Sequence, residues 1–371
     1  MKYYLIAGEA SGDLHGSNLM KAILKIAPNS DFRYWGGDKM EEMAQQPALK
    51  HIRELAFMGF VEVLQNLNSI LRNIKLCKQQ IKEYNPDVLI LVDYPGFNLK
   101  MAKFAHQEGL KVFYYISPKV WAWKQKRVFQ IKENVDRMFT ILPFETSFYK
   151  SFGVEVDYIG NPLMDAIEKH QIDEEKEVFD LDDSRPIIAL LPGSREQELK
   201  RILPDMLSMV LEFPNHQFVI AATNTLSKEI YYQLIGELPV KMVFDKTYNV
   251  LEKAEAALVT SGTATLETAL LNIPQVVCYK ANTASYTIAK NLVNIKYISL
   301  VNLIMDEEIV RELIQHDLNQ KELKQELNAI LKGGRKRTKM LADYSEMRKR
   351  VGGAGASEHG AALMINYLRT K

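Results

Sequence analysis

Residues 89–102 read "LILVDYPGFNLKMA", an apolar run that ends in an aspartate, a turn and the start of a helix. An apolar run of strand length that is bounded by turn residues is typical of a strand buried on both faces of a parallel sheet. Pro95 and Gly96 turn the chain before the next helix. The stretch therefore predicts a strand, a loop and a helix of an α/β fold, with Asp93 at the carboxyl end of the strand.

The same alternation of short β-rich runs and helical stretches extends along the chain, which predicts parallel sheets covered by helices. The length of 371 residues is room for roughly two to three domains. We predict strands in the first half at 2–7, 32–35, 87–93, 111–116, 137–141 and 154–158. We predict further strands at 187–191, 217–222, 240–244, 256–260 and 275–279, and helices such as 17–27 and 203–213.

A breaker and an acidic run indicate a domain boundary near the middle of the chain. The stretch 159–167, "IGNPLMDAI", contains Gly-Asn-Pro, and a polar, acidic segment follows it before strand character resumes at Ile187. We therefore predict one α/β domain at 1–160 and a second at 161–344. The helices at about 345–371 pack either back on the first domain or on a partner chain, which leaves a homodimer open.

The composition excludes several classes of protein. The formal net charge is +1, so we predict no nucleic-acid partner. Only Cys77 and Cys278 are present, which argues against a disulfide scaffold or a zinc site and fits a reducing cytoplasm. No apolar stretch approaches the roughly 20 residues of a membrane span. The DxD pattern at 180–182 lies in an acidic run rather than after a strand, so we predict neither a metal ion nor a cofactor.

The loop in "LLPGSREQEL" (190–199) follows a predicted strand and opens a helix. Gly193 lets the backbone approach a ligand closely, Ser194 can cap the helix, and Arg195 can bind an anion. In an open α/β sheet, ligands bind at the carboxyl ends of the strands, where this loop lies. The alternative is a well-capped helix start without a ligand.

A second loop in the same predicted domain repeats this arrangement. In "LVTSGTATLETAL" (258–270), Ser261, Gly262 and Thr263 lead from a strand into a helix whose N-terminus suits a phosphate. Glu267, one turn into that helix, either accepts hydrogen bonds from ribose hydroxyls or compensates the helix dipole. Two such loops in one domain favour a diphosphate ligand.

The predicted first domain carries a carboxylate and two apolar or basic segments. Asp93 is either a general base or a turn residue. The segment 114–127, "YYISPKVWAWKQKR", and the apolar segment 54–77 either pack in the core or face an anionic lipid surface and a hydrophobic ligand.

Eight short stretches, taken in order, resemble the lipid-A-disaccharide synthases. The match extends across nearly the whole chain, and eight motifs in register are far more specific than one. They are "AGEASGD" (7–13), "GGDKM" (36–40), "MGFVEVL" (58–64), "DYPGFN" (93–98), "SPKVWAWK" (117–124), "IGNP" (159–162), "LPGSR" (191–195) and "SGTATLE" (261–267).

The resemblance implies two Rossmann-like domains facing each other across a cleft, the GT-B glycosyltransferase fold. It implies transfer of 2,3-diacylglucosamine from UDP-2,3-diacylglucosamine to the 6-hydroxyl of 2,3-diacylglucosamine 1-phosphate, with inversion and without a catalytic metal ion. The products are the β-1,6-linked disaccharide 1-phosphate and UDP. The domain at 1–160 would bind the acceptor and face the membrane, and the domain at 161–344 would bind the UDP-sugar.

The resemblance also suggests roles for single residues. Asp93 is the candidate base and Glu9 its rival, while Arg195 and the 261–263 helix start neutralise the leaving UDP and Glu267 holds the ribose. The residues assigned to the nucleotide or donor sugar are Gly193, Ser194, Arg195, Ser261, Gly262, Thr263, Glu267 and Asn302. The residues assigned to the acceptor or its acyl chains are Ser11, Met58, Phe60, Glu62 and Asn98. Asp13 would cap a helix.

The sequence departs from the family pattern in two places. Val301 stands where the family usually has proline, although Asn302 and Glu312 still match the pattern. Lys280 stands where the family commonly has arginine, so it keeps the charge but not the bidentate fork.

Substrates with four acyl chains between them require a membrane. The resemblance therefore implies a cytoplasmic protein that lies on the inner face of the inner membrane, and 54–64 and 117–127 are our candidates for the contact surface. The alternatives are another UDP-sugar enzyme of GT-B type, such as a 2-epimerase or a transferase to a soluble acceptor, and a non-catalytic nucleotide-sugar sensor.

Overall fold

A computed structural model describes residues 1–55, 67–172, 181–182, 184–282, 286 and 295–370. The chain divides into two compact units, which we describe separately. The first unit comprises Met1–Asp165 together with Gly353–Lys371, and the second comprises Ala166–Gly352. Within the described residues, no helix combines the length and the apolar character that a membrane span requires.

The first unit contains a parallel sheet with strand order β3-β2-β1-β4-β5-β6-β7. Its strands are β1 (Lys2–Ala7), β2 (Asp31–Gly36), β3 (Lys50–His51), β4 (Val88–Val92), β5 (Lys111–Tyr115), β6 (Arg137–Thr140) and β7 (Asp157–Tyr158). The order changes direction between β1 and β4. At such a switch point the loops after the two central strands lead to opposite faces of the sheet and leave a crevice at its edge.

Helices cover both faces of this sheet because residues that alternate along each strand point to opposite sides. Leu5 and Ile90 pack on one side with helices near the two ends of the chain, and Ile6 and Leu91 pack on the other. The helices of the unit are α1 (Ala10–Ile26), α2 (Asp38–Ala44), α3 (Leu67–Tyr84), α4 (Pro95–Gln107), α5 (Arg127–Asn134), α6 (Pro143–Ser151), the start of α7 (Pro162–Ile172) and α15 (Ala356–Arg369).

The last helix, α15, packs beside α1 of its own unit. Met364 and Ile365 are buried in the same core as the first strand. At the other end of α15, the Asp165 carboxylate accepts hydrogen bonds from the backbone N–H groups of Gly355, Ala356 and Ser357. This cap satisfies donors that a helix start leaves unpaired and fixes where the helix begins.

The second unit contains a parallel sheet with strand order β10-β9-β8-β11-β12-β13. Its strands are β8 (Ile187–Leu191), β9 (Gln217–Ala222), β10 (Val240–Phe244), β11 (Ala254–Thr260), β12 (Gln275–Tyr279) and β13 (Glu312–Ile314). The unit begins with the last part of α7. Its other helices are α8 (Glu196–Leu207), α9 (Lys228–Ile235), α10 (Thr247–Lys253), α11 (Thr263–Leu270), α12 (Leu300–Met305), α13 (Gln320–Ile330) and α14 (Arg337–Val351). The switch point of this sheet lies between β8 and β11.

The predicted helix at 203–213 is misplaced. Helix α8 begins at Glu196 and ends at Leu207, and turns follow it up to about Glu212. The apolar residues after the helix, such as Met209, Val210 and Phe213, are buried and continue its hydrophobic pattern. Their backbone is not helical. The pattern therefore reports burial beyond the end of the helix.

Candidate active site

The switch point of the first sheet brings together the loops that carry Glu9 and Asp93. Strands β1 and β4 are direct neighbours, with Ala7 paired to Val92. Glu9 directly precedes the first residue of α1, and its side chain is exposed, as is that of Ser11. Asp93 follows the last residue of β4. Two of the residues predicted from sequence for the acceptor side therefore lie on adjacent loops.

The loop after β4 has an unusual backbone. Asp93 and Tyr94 both have positive φ, at 42° and 48°. This left-handed region costs a non-glycine residue roughly 1–2 kcal/mol, so other contacts must hold it. The Asp93 carbonyl accepts hydrogen bonds from the Tyr114 hydroxyl at 2.6 Å and from Asn98 Nδ2 at 2.8 Å.

Asn98 is fully buried and its amide also donates to the Val92 carbonyl at 3.2 Å. It also donates to the Ile6 carbonyl of β1 at 3.4 Å, so its contacts tie the loop to the ends of β1 and β4. We therefore assign Asn98 a positioning role in place of the acceptor contact expected from the sequence.

The Asp93 carboxylate has the electrostatic surroundings of a base. Burial raises its pKa to about 6, Lys119 opposes this shift, and Glu9 adds to it. A carboxylate with a pKa nearer to neutrality holds a transferred proton better and is still ionised at pH 7. Lys119 was not singled out from the sequence, and only the neighbouring positions of β4 and β5 in the sheet bring it to this carboxylate.

Buried hydrogen bonds fix the segment that carries Lys119. Trp121 Nε1 donates to Glu145 Oε1 at 3.2 Å, and the hydroxyls of Ser117 and Tyr149 lie 2.8 Å apart. Glu145 also accepts the backbone N–H of Leu142 at 3.0 Å at the start of α6, and burial raises the pKa of its carboxyl to about 7. The exposed Lys119 side chain therefore extends from a backbone that is held on one side by the core.

Asp13 caps a helix, but not the one in which it lies. Its carboxylate accepts the backbone N–H groups of Gly37, Lys39 and Met40 at 2.7, 3.0 and 3.1 Å. These groups belong to the start of α2, so Asp13 ties α1 to the loop after β2.

The switch point of the second sheet carries the two loops predicted to bind an anion. β8 and β11 are neighbours, with Leu191 paired to Val259. After β8, Gly193 has a φ of +99°, which favours glycine. Helix α8 begins at Glu196, directly after Arg195, and no described side chain caps it. The capping role predicted for Ser194 is therefore wrong, and the exposed Ser194 and Arg195 side chains face solvent.

The loop after β11 leads into α11 with its backbone donors available. Gly262 stands at the start of this helix, and among the described residues no side chain caps it. Thr263 is exposed, while the Ser261 hydroxyl donates to the Ile298 carbonyl at 3.0 Å. Glu267 accepts a hydrogen bond from the Tyr248 hydroxyl at 2.8 Å, and burial raises the pKa of its carboxyl.

Asn302 does not face this site. It is fully buried, its Nδ2 donates to the Val310 carbonyl and to Glu312 Oε1 at 2.8 and 2.9 Å, and its Oδ1 accepts two backbone N–H groups at 2.8 and 3.0 Å. Each of its hydrogen-bonding atoms thus has a partner in the protein. We assign Asn302 to the structure of the loop before β13 in place of the donor contact expected from the sequence.

Two groups predicted from sequence remain to be placed. Lys280 Nζ lies 2.6 Å from Asp205 Oδ2, so this lysine forms an ion pair with α8. The acceptor residues Met58, Phe60 and Glu62 lie outside the described residues.

One cluster in the described part of the chain has the side chains of a metal site. Ligand atoms of Asp38, Glu41 and His51 lie within 4.8 Å of one another. The guanidinium of Arg53 contacts both carboxylate oxygens of Asp38, at 2.9 and 2.7 Å, and already compensates its charge. The cluster therefore gives no independent reason to expect a cation.

Comparison with known proteins identifies the family. The sequence profile of the lipid-A-disaccharide synthetase family matches residues 3–364. The chain belongs to this family. The assignment confirms the family predicted from the sequence, and with it a glycosyltransferase.

Relatives in this family match along nearly their whole length. The lipid-A-disaccharide synthase of Trichlorobacter lovleyi is 38% identical and covers 98% of this chain and 97% of its own. The synthase of Nitrosococcus oceani is also 38% identical, over 98% and 95%, and that of Geobacter sulfurreducens is 36% identical, over 98% and 96%.

Solved structures of more distant proteins share the fold. The UDP-GlcNAc 2-epimerase of Neisseria meningitidis, solved with UDP-GlcNAc, has a TM-score of 0.69 at 13% identity and covers 99% of this chain and 100% of its own. The calicheamicin glycosyltransferase CalG4 has a TM-score of 0.62 at 12% identity, over 99% and 98%. These likenesses concern the fold alone, and they confirm two parallel-sheet α/β domains of GT-B type.

Proposed function

We propose that this member of the lipid-A-disaccharide synthetase family transfers 2,3-diacylglucosamine from UDP-2,3-diacylglucosamine to the 6-hydroxyl of 2,3-diacylglucosamine 1-phosphate. The observation that carries the proposal is the chemistry at the two switch points. One holds a half-buried carboxylate with a raised pKa, and the other holds an arginine and an uncapped helix start that follow neighbouring strands.

Asp93 is the base in this proposal. The acceptor O6 attacks the anomeric carbon of the donor from the face opposite UDP, its proton passes to the Asp93 carboxylate, and the bond from the anomeric carbon to the UDP oxygen breaks. The configuration inverts, and UDP leaves with the electron pair. Glu9 remains the rival base, because it lies on the neighbouring loop and its charge acts on Asp93.

The leaving UDP is stabilised by the second unit. Arg195 is exposed and extends from the loop after β8, and the first N–H groups of α11 have no side-chain cap among the described residues and point toward the loop after β11. A cation and a helix N-terminus at neighbouring strand ends suit a diphosphate whose negative charge grows as the bond breaks. Glu267 accepts ribose hydroxyl hydrogen bonds in this proposal, and its hydrogen bond from Tyr248 supports the role by orienting the carboxylate.

The experiment that tests the reaction is UDP release from UDP-2,3-diacylglucosamine in detergent micelles, with and without 2,3-diacylglucosamine 1-phosphate, followed by mass analysis of the lipid. The expected result is acceptor-dependent release and a disaccharide 1-phosphate. The variant Asp93→Asn should lose at least about a hundredfold in kcat, the contribution of a general base. Release without acceptor would instead indicate a hydrolase or a 2-epimerase.

Contact with the cytoplasmic face of an anionic membrane is part of the proposal. Trp123 is 44% exposed, with Lys124 Nζ 4.3 Å and the Arg127 guanidinium 5.7 Å from its ring centre, and Phe129 is 57% exposed. An exposed aromatic edge with basic neighbours is the pattern that anionic lipid interfaces favour.

Charge reversal tests this surface. The triple variant Lys124→Glu, Lys126→Glu and Arg127→Glu should sediment less with vesicles that contain anionic lipid. The matched control reverses three exposed charges of the second unit, Lys321, Lys332 and Arg335, and should sediment like the wild type. Equal sedimentation of both variants would remove segment 117–127 from the proposal.

A homodimer stays a prediction of the sequence. In this chain α15 packs beside α1 of its own unit, which is one of the two placements that the sequence leaves open for the C-terminal helices.

A further inference from the structure

The Glu198 carboxylate lies over the loop that is expected to hold the diphosphate. Glu198 is the third residue of α8, and its Oε1 atom is 3.4 Å from Nη1 of Arg195. Its Oε2 atom is 2.8 Å from the position that a Cβ atom would take on Gly193. The side chain therefore turns back from the helix toward the loop and contacts both of its functional positions.

A third residue reports the same arrangement from the neighbouring strand. Burial raises the pKa of the Tyr279 hydroxyl, Glu198 adds to the shift, and Arg195 opposes it. Tyr279 is the last residue of β12, so the carboxylate and the guanidinium both lie near the carboxyl edge of the sheet. Ligands bind at this edge in open α/β sheets.

We propose that Glu198 is an internal anion that competes with the donor diphosphate for Arg195 and thereby sets the affinity of the loop for UDP. The proposal rests on the proposed function, because it takes the loop after β8 as the diphosphate site. A carboxylate so close to Arg195 satisfies part of the charge of the guanidinium in the free protein, and an incoming diphosphate has to displace it from this position. Donor binding then requires the Glu198 side chain to turn away.

The structural alternative gives Glu198 no part in binding. A glutamate in the first turn of a helix interacts favourably with the helix dipole, and no ligand is needed to explain it. This alternative predicts that neutralising Glu198 lowers the thermal stability slightly and leaves the affinity for UDP unchanged. The two explanations therefore predict different dissociation constants of UDP for a variant in which Glu198 is neutralised.

The test is the dissociation constant of UDP, measured by isothermal titration calorimetry for the wild type and for Glu198→Gln. Glutamine keeps the size of the side chain and removes its charge. We expect UDP to bind Glu198→Gln about three- to tenfold more tightly at low salt, with a smaller gain at high salt because ions screen partly exposed charges. The gain should be smaller for UMP, which carries one phosphate fewer. Glu198→Ala should also bind UDP more tightly and serves if Glu198→Gln does not fold.

Two further variants make the result specific. Glu196→Gln makes the same charge change on the same helix, at a glutamate that pairs with Lys200 at 2.6 Å, and should leave the UDP affinity within about twofold. In an Arg195→Ala background, Glu198→Gln should change the affinity for UDP by less than about twofold, because the guanidinium for which Glu198 and the diphosphate compete is absent.

The outcomes separate the inference from the proposed function. Equal or weaker UDP binding by Glu198→Gln, with wild-type binding intact, overturns the inference alone and leaves the donor site in place. A wild type that does not bind UDP overturns both. A gain that persists in the Arg195→Ala background overturns the competition for Arg195.

Discussion

The ring of Tyr94 lies directly against the bare Cα of Gly8, where an added Cβ atom would come within 2.4 Å of two ring carbons. Gly8 precedes the exposed Glu9, and Tyr94 follows Asp93. The two loops that carry the candidate bases are thus packed on each other through one ring and one glycine. Their spacing depends on the absence of a side chain at residue 8.

The substitution Gly8→Ala should therefore disturb both loops. The Tyr94 ring, which also stacks on Phe97 at 5.9 Å, has to move to admit a methyl group. We expect a loss of about 1–3 kcal/mol in the free energy of unfolding, the usual cost of overpacking, and a lower kcat in the folded protein. Urea unfolding and UDP-release kinetics measure the two effects. Gly353→Ala is the control, since an added Cβ there meets no described atom within 4 Å. Equal stability of both variants would contradict the packing argument.

The raised pKa of Asp93 predicts the pH dependence of the reaction. A base accepts a proton only when it is ionised, so kcat/KM should rise as the pH increases through about 6 and level off above that. Burial is the main cause of the raised pKa. An unperturbed aspartate would place the acidic limb of the pH profile, the rise in kcat/KM, near pH 4. The measurement is kcat/KM from pH 4.5 to 9 in micelles, with protein stability checked at each pH. A limb near pH 4 would mean that Asp93 is solvated or is not the base.

The charges around Asp93 should move this limb in opposite directions. Lys119 favours the ionised form, so Lys119→Ala should shift the limb to higher pH, and Lys119→Arg should leave it in place. Glu9 disfavours the ionised form, so Glu9→Gln should shift the limb to lower pH. The pH profiles of the three variants test this. If Glu9→Gln loses activity while Asp93→Asn keeps it, Glu9 is the base instead.

The sequence predicts the position of Asp93 at the end of a strand because the signals are local. An apolar run of strand length, an aspartate and Pro-Gly define the strand, its end and the turn within a dozen residues. The two loops of the second unit give the same kind of local signal, since strand, glycine and helix follow one another along the chain. In each unit the loops then meet because they follow strands at a switch point.

What the sequence does not give is contacts between distant segments. Lys119 reaches Asp93 only because β5 pairs with β4, and Glu198 turns back over Gly193 in a way that helix periodicity does not encode. Strands β3 and β13, of two and three residues, are too short for a periodic signal. Asn98 and Asn302 match motifs of the family, but a motif does not separate a buried asparagine from one that contacts a ligand.

Asp13 should be a residue of stability rather than of binding. Asp13→Ala leaves three backbone N–H groups of the α2 start without their acceptor, and we expect a loss of about 2 kcal/mol in the free energy of unfolding. Asp38→Ala in the same helix removes an exposed ion pair with Arg53 and should cost less than about 1 kcal/mol. Urea unfolding compares the two variants. A similar, small loss in both would show that the cap contributes little.

Substitution of Asn302 should lower the stability of the second unit without changing its affinity for UDP. Asn302→Ala deprives two backbone N–H groups, at Ile309 and Val310, of their acceptor and Glu312 of a donor, so the free energy of unfolding should fall by about 2 kcal/mol. Because the side chain is fully buried and has protein partners, the folded variant should bind UDP within about twofold of the wild type. Calorimetric titration at a temperature where the variant is fully folded measures this. Arg195→Ala is the comparison, since it should weaken UDP binding at least tenfold while it hardly changes the stability of an exposed position. A tenfold weaker affinity in Asn302→Ala without a loss of stability would restore the donor contact that the family motif suggests.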